Sequence, residues 1–162
     1  MSCAPFVPSD PDVVRRMLEL AKVGPGDVVY DLGCGDARIL VMAIRKFKAD
    51  KAVGYEIKDD VYKTATAEVE RLRLQGRVRI VHGDFASSDL SEASVITLYL
   101  TTYGNEQLKP KIQREARPGT RIVSHDFKIT GWKQVVEERF QGHSIHLYRI
   151  PEAFAETAQT ST

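Results

Sequence analysis

Between Val28 and Ile150 the chain alternates short apolar runs with stretches whose apolar residues recur at helical spacing. Val28 to Leu32, Lys51 to Ile57, Val78 to Asp84, Ala93 to Leu100 and "RIVSHDF" from Arg121 read as strands. Near-continuous apolar strands of this length are what a sheet covered on both faces requires. Arg38 to Phe47, a segment opening at Asp59 or Asp60 and running to about Leu74, and Asn105 to Ala116 read as helices. Strands alternating with helices predict a parallel sheet, because each parallel connection must cross over. The last part differs: "KQVVEERF" and "HSIHLYRI" meet at Gln141-Gly142. That pair predicts a hairpin, and with it an antiparallel strand at one sheet edge.

Ahead of the first strand, "PFVPSD" is extended, since proline disfavours helix in the residue before it. Ser9 is the expected N-cap of a helix carrying Val13, Val14, Met17, Leu18 and Ala21 inward, and "GPGD" ends it. The expected organisation is one domain over residues 1–151, with 1–10 an extended arm and 152–162 a frayed tail. Phe6 to Ser9 are expected to close over a bound ligand as a lid.

The turn after the first strand, "DLGCGDARIL", narrows the ligand. Gly33 and Gly35 follow a strand and open a helix, where glycine lets the chain turn sharply and a ligand approach the backbone. The third small residue of a dinucleotide fingerprint is absent; Arg38 stands there. Asp36 disfavours a pyrophosphate and suits a cationic ligand such as an aminoacyl sulfonium. Glu56, at the end of the second strand, is placed to accept from two ribose hydroxyls. Asp84, at the end of the third, is placed to accept from an adenine amine, with Phe85 to pack on its face. A turn, a ribose acceptor and an adenine acceptor on successive strand ends indicate a nucleoside cofactor.

Charge and cysteines remove other classes. The formal net charge is +1, so no global field holds nucleic acid. Arg71 to Arg79 reads as a solvated helix end. Two cysteines, Cys3 and Cys34, make neither a disulfide framework nor a zinc pattern, and a cytoplasmic location is expected. No apolar run approaches the roughly 20 residues of a membrane span, and no signal peptide is recognisable. His143 and His146 lie three apart in a strand and so point to opposite faces, which excludes a metal site on that pair.

"VVYDLGCGDARIL", "AVGYEI" and "VHGD" resemble the first three motifs of class I S-adenosylmethionine-dependent methyltransferases. More narrowly, "FVPSDPDVVRRMLELAKVGPGD", "NEQLKPKI", "PGTRIVSHDF" and "GWKQV" resemble the small archaeal protein-lysine methyltransferases of broad substrate range. The resemblance implies a Rossmann-like α/β fold: a seven-stranded, mostly parallel sheet with an antiparallel C-terminal hairpin strand and helices on both faces. It implies that Asp31, Gly33, Cys34 and Gly35 line the methionine end of S-adenosyl-L-methionine, that Glu56 takes the ribose, and that Asp84 and Phe85 take the adenine. Ile57, Gly83 and Leu100 complete the expected cofactor contacts. One departure stands out: the family turn reads D-G-R, where this chain has Asp36-Ala37-Arg38.

Methyl transfer from a sulfonium is an in-line displacement by an already activated donor, so no metal is required and the protein aligns the reactants and excludes water. A lysine nucleophile must arrive neutral, which an apolar slot favours. The catalytic edge is expected after the fourth strand, at Leu100, Thr101, Thr102 and Tyr103. Tyr103 is expected to wall a lysine channel, Thr101 and Thr102 to orient the amine. Asp126, with His125 beside it in "SHDF", is expected to steer a cationic substrate or relay a proton. No acid or amide heads the loop, which weighs against an adenine amine as acceptor. The expected substrates are proteins with exposed lysines, chromatin proteins among them, acted on by a monomer that touches neither membrane nor nucleic acid. A nucleic-acid or small-molecule methyltransferase, and a cofactor-binding domain without catalysis, are the alternatives.

Overall fold

The computed structural model describes residues 9–154. The first helix, α1 (Pro11–Leu20), precedes β1 (Val28–Leu32). Then α2 (Arg38–Arg45), β2 (Lys51–Glu56), α3 (Asp59–Arg71) and β3 (Val78–His82) alternate. Two short 3-10 turns, Phe85–Ser87 and Leu90–Glu92, lead to β4 (Val95–Leu98). The chain continues through α4 (Thr102–Glu115) and β5 (Arg121–His125) to the hairpin of β6 (Val136–Phe140) and β7 (His143–Arg149). These strands form one seven-stranded sheet in the order β3-β2-β1-β4-β5-β7-β6. The first five are parallel; β7 runs antiparallel to both β5 and β6. The strand order reverses between β1 and β4, and open α/β sheets bind ligands at the carboxyl ends beside such a switch.

Successive strand residues feed two cores because side chains alternate across a sheet. Val29, Ala52, Val95 and Val123 pack with Val13, Met17, Leu40, Ala43 and Val69, so α1, α2 and α3 cover one face. Tyr30, Val53, Ile96 and Ile122 pack with Leu108 and Ile112 of α4 and with Trp132 and Tyr148, which close the other. The Gln141-Gly142 turn has φ of 50° and 82°, the doubly left-handed turn that matches hairpin twist.

Local boundaries differ from the sequence expectation at several points. Asp10, not Ser9, caps α1, its carboxylate accepting from the Asp12 amide. The Ser9 side chain turns instead to His125. Lys58, not Asp59 or Asp60, holds the cap position of α3, and both acids sit in its first turn, where the positive helix end favours them. Helix α4 begins at Thr102 rather than Asn105, because the Thr101 hydroxyl caps it by accepting from the Gly104 amide at 3.1 Å. The tail expected to fray from residue 152 is packed as far as Phe154. Ala153 is buried, and the Phe154 ring meets Trp132 edge-on at 5.1 Å. The arm expected to act as a lid lies outside the described residues, except for Ser9 and Asp10.

Candidate active site

The turn after β1 is held by β2. The Gly33 and Cys34 amides both donate to the Tyr55 carbonyl, at 2.8 and 2.9 Å. Gly33 (φ 83°) and Gly35 (φ 57°) are left-handed, as the tight turn demands. Ala37 also adopts φ 72°. Alanine there, where the family has glycine, stores about 1–2 kcal/mol of backbone strain. Gly54 in β2, to which the sequence analysis gives no role, makes room for the turn. A Cβ on Gly54 would lie 2.6 Å from Leu40 Cδ1 and 2.7 Å from both Cβ and Sγ of Cys34. Cys34 itself is buried, and burial holds its thiol well above the ordinary range, so it packs and does not react.

Glu56 is buried at the end of β2 with both carboxylate oxygens placed. Oε1 accepts from the Gly35 amide at 2.9 Å and Oε2 from the Lys58 amide at 3.0 Å. The acid therefore braces the glycine turn from the neighbouring strand end. Ile57 follows it, partly buried. At the end of β3, Gly83 donates to the Glu56 carbonyl, and Asp84 caps the next turn by accepting from the Ala86 amide. Phe85 is partly buried beside it. The three strand ends thus lie side by side, β1 paired with β2 and β2 with β3.

Electrostatics fall differently from the sequence expectation. Asp36 is neutralised locally: Arg38 chelates it, Nε to Oδ1 at 2.9 Å and Nη2 to Oδ2 at 2.5 Å. Partial burial works the other way, yet the guanidinium holds the Asp36 carboxyl below its usual value. The negative character of the cleft rests instead on Asp31 and Glu56, both buried. Burial pushes Asp31 up to about 7, the Thr97 hydroxyl at 2.8 Å opposes this, and the charges of Glu56 and Asp36 add to it. A cationic ligand relieves that cost; a pyrophosphate increases it. Two left-handed glycines, a ribose-type acceptor and an uncompensated carboxylate fit an aminoacyl sulfonium nucleoside.

On the far side of the switch point, Leu100 is buried, and the Cβ position of Gly33 lies 3.7 Å from its Cδ2. Thr101 is half-buried, and Thr102 and Tyr103 are exposed on the first turn of α4, Tyr103 at 57%. Asn105 in the same turn is buried, its amide donating to the Phe127 carbonyl at 3.0 Å and so fixing the loop after β5. In that loop Asp126 is left-handed at φ 64°. Its Oδ1 accepts from the Ser144 amide at 3.0 Å, and burial, with the Asp126 charge nearby, raises the Tyr99 hydroxyl above its ordinary value. Tyr99 stacks on His125 with centroids 3.9 Å apart, and Phe127 lies 6.5 Å from Tyr99. Burial drives His125 down to about 4, Asp126 opposing, so its imidazole is neutral at physiological pH.

The family model for the ANTKMT methyltransferase domain matches residues 31–136, from the Asp31 turn through β4 and β5 to the start of β6. A protein-lysine N-methyltransferase of Saccharolobus islandicus is 51% identical over 152 residues, covering 91% of this chain and 94% of its own. The chain belongs to this methyltransferase family. Among solved structures, an RNA methyltransferase from Salinibacter ruber, in complex with S-adenosyl-L-homocysteine, superposes with a TM-score of 0.87 at 40% identity. That match covers 90% of this chain and 95% of the other. The adenine nucleotide translocase lysine N-methyltransferase of Mus musculus is 29% identical over 81% of this chain, which spans 56% of that protein. The methyltransferase is accordingly S-adenosylmethionine-dependent. Among its described residues no helix is long and apolar enough to cross a membrane.

Proposed function

We propose that this methyltransferase transfers methyl groups to the neutral ε-amine of lysines on protein substrates. The observation that carries the reading is the 51% identity to the Saccharolobus protein-lysine N-methyltransferase, which extends nearly end to end in both chains. The bound donor supplies an activated methyl group. Asp31, Gly33, Cys34 and Gly35 hold its amino-acid end, and Glu56 its ribose. Asp84 and Phe85 take the adenine, with Ile57, Gly83 and Leu100 completing the pocket. The acceptor enters over β4 and β5. There Tyr103, on the first turn of α4, and Phe127, next to Asp126 in the chain, leave apolar surface exposed. The Asp126 carboxylate attracts the incoming ammonium, and the aromatic walls then favour its neutral form by excluding water. Thr101 and Thr102 orient the amine. Substrates are proteins with accessible lysines, chromatin proteins among them, and the enzyme works as a cytoplasmic monomer.

One observation favours a second reading: the Salinibacter relative is described as an RNA methyltransferase. The two are separated by supplying methyl-labelled donor with a heat-treated cell extract, then digesting with protease or ribonuclease. Label released only by protease supports lysine transfer; label released only by ribonuclease overturns it. A pH profile gives an independent check. A free lysine has a pKa of about 10.4, so kcat/KM rises close to tenfold per pH unit between about pH 6 and 8 if the enzyme takes the neutral amine from solution. An adenine amine contributes no such slope. A flat profile with chemistry rate-limiting refutes lysine as the nucleophile.

A further inference from the structure

The hairpin brings a residue distant in sequence to the acceptor side of the sheet. Strand β7 runs antiparallel to β5, with His125 opposite Ile145, so the start of β7 lies beyond the carboxyl end of β5. His143 therefore reaches Asp126 and His125. His125 Nε2 and His143 Nδ1 are 2.9 Å apart, His143 Nδ1 and Asp126 Oδ2 3.3 Å, and His125 Nε2 and Asp126 Oδ2 3.5 Å. Two of the three donors are oriented by a second contact. His125 Nδ1 lies 3.0 Å from the Ser9 hydroxyl, which leaves Nε2 toward the cluster. Asp126 Oδ1 takes the Ser144 amide, which leaves Oδ2. Such outer contacts fix ring tautomer and carboxylate direction at metal centres.

The spacing is that of a coordination face. A tetrahedral zinc ion with bonds of 2.0–2.1 Å has ligand–ligand edges of about 3.3 Å. A triangle with the observed sides has a circumradius of about 1.9 Å, so a point at zinc bonding distance from all three atoms exists on either side of its plane. His125 is 1% exposed, whereas Asp126 and His143 are 31% and 36% exposed, so the face is anchored at its base and open to solvent above. Asp126 takes a left-handed backbone, which aspartate tolerates better than most residues, and this turns its carboxylate toward the two imidazoles. We propose that His125, Asp126 and His143 form a binding site for a divalent transition-metal ion of the zinc class, with three protein ligands and an outward fourth position; the metal-loaded protein is a state apart from the one in which the free Asp126 carboxylate attracts an ammonium. The set is two imidazoles and one carboxylate, which suits zinc and disfavours magnesium or calcium. His146 takes no part: its Nδ1 is 2.5 Å from Gln134 Oε1 and its Nε2 faces the Asp126 carbonyl.

The test uses the full-length, tag-free chain carrying Cys3→Ser, so that a terminal thiol adds no ligand. Zinc is titrated in competition with a chromophoric chelator, without donor or substrate, so the result stands apart from the lysine reading. The expected result is one zinc per chain, weakened at least tenfold by His143→Ala and by Asp126→Asn and unchanged by His82→Ala. Cobalt(II) in place of zinc gives the intense visible bands of a tetrahedral site in the parent chain, lost in His143→Ala. His143 is partly exposed, and circular dichroism checks that its variant folds. Affinity weaker than about 100 μM in the parent, or tight binding that persists in folded His143→Ala, overturns the proposal.

Discussion

Replacing Asp31 by asparagine should stabilise the donor-free protein, and by an amount that grows with pH. Asp31 is buried, with the Thr97 hydroxyl its one side-chain partner among the described residues, and its pKa is pushed up to about 7 from an ordinary 3.8. For a carboxyl raised in this way the folded state holds its proton longer than the unfolded state does. Stability is therefore lost as pH climbs from about 4 through 7, the reverse of a salt-bridged acid. At about 1.4 kcal/mol per pKa unit, the full cost is about 4 kcal/mol, of which about 2–3 kcal/mol accrues between pH 5 and 8. Asparagine keeps the shape and an acceptor for Thr97 but carries no charge. Chemical denaturation of both proteins at half-unit steps from pH 5 to 8 measures the difference directly. The variant should gain steadily on the wild type, levelling off above pH 7. A constant offset across the range would refute the claim that burial raises the pKa of Asp31. The same variant should bind the cationic donor far more weakly, because the charge that the empty cleft resists is the one the proposed ligand compensates.

Glu56→Ala should weaken S-adenosylhomocysteine binding by about 1–3 kcal/mol, since it removes charge-assisted ribose bonds and the acceptor for the Gly35 amide; calorimetry showing unchanged affinity would take Glu56 out of the site. Gly54→Ala should destabilise the fold by about 1–3 kcal/mol because the new methyl collides with Leu40 and Cys34, read as a lowered denaturation midpoint at constant slope. Thr101→Ala should cost about 1 kcal/mol of stability through the lost cap of α4, with Thr101→Ser restoring it. A fall in kcat beyond what thermal melts of the two variants explain would assign the hydroxyl a role at the acceptor as well.

The sequence by itself determined the sheet and the strand ends at which the glycine turn and the acids stand. Runs such as Val28–Leu32 and Val95–Leu98 are apolar at every or nearly every position, which only a strand buried on both faces tolerates, and helical spacing between them forces parallel crossovers. The glycine turn and the two acids lie at strand ends, so their meeting at one edge follows once the strands are parallel. Gln141-Gly142 announced the hairpin for a local reason, its need for left-handed backbone. Tertiary structure decided what depends on neighbours distant in sequence. The neutralisation of Asp36 required knowing the Arg38 rotamer, and the raised pKa of Asp31 required knowing that burial leaves it Thr97 and no cation. Alternation along β7 compares His143 with His146, but the partners of His143 stand at the end of β5 and in the loop after it, 18 and 17 residues back. The hydrophobic pattern of β7 states that it is a strand; its antiparallel register against β5 is settled by packing, and that register alone sets His143 beside His125 and Asp126.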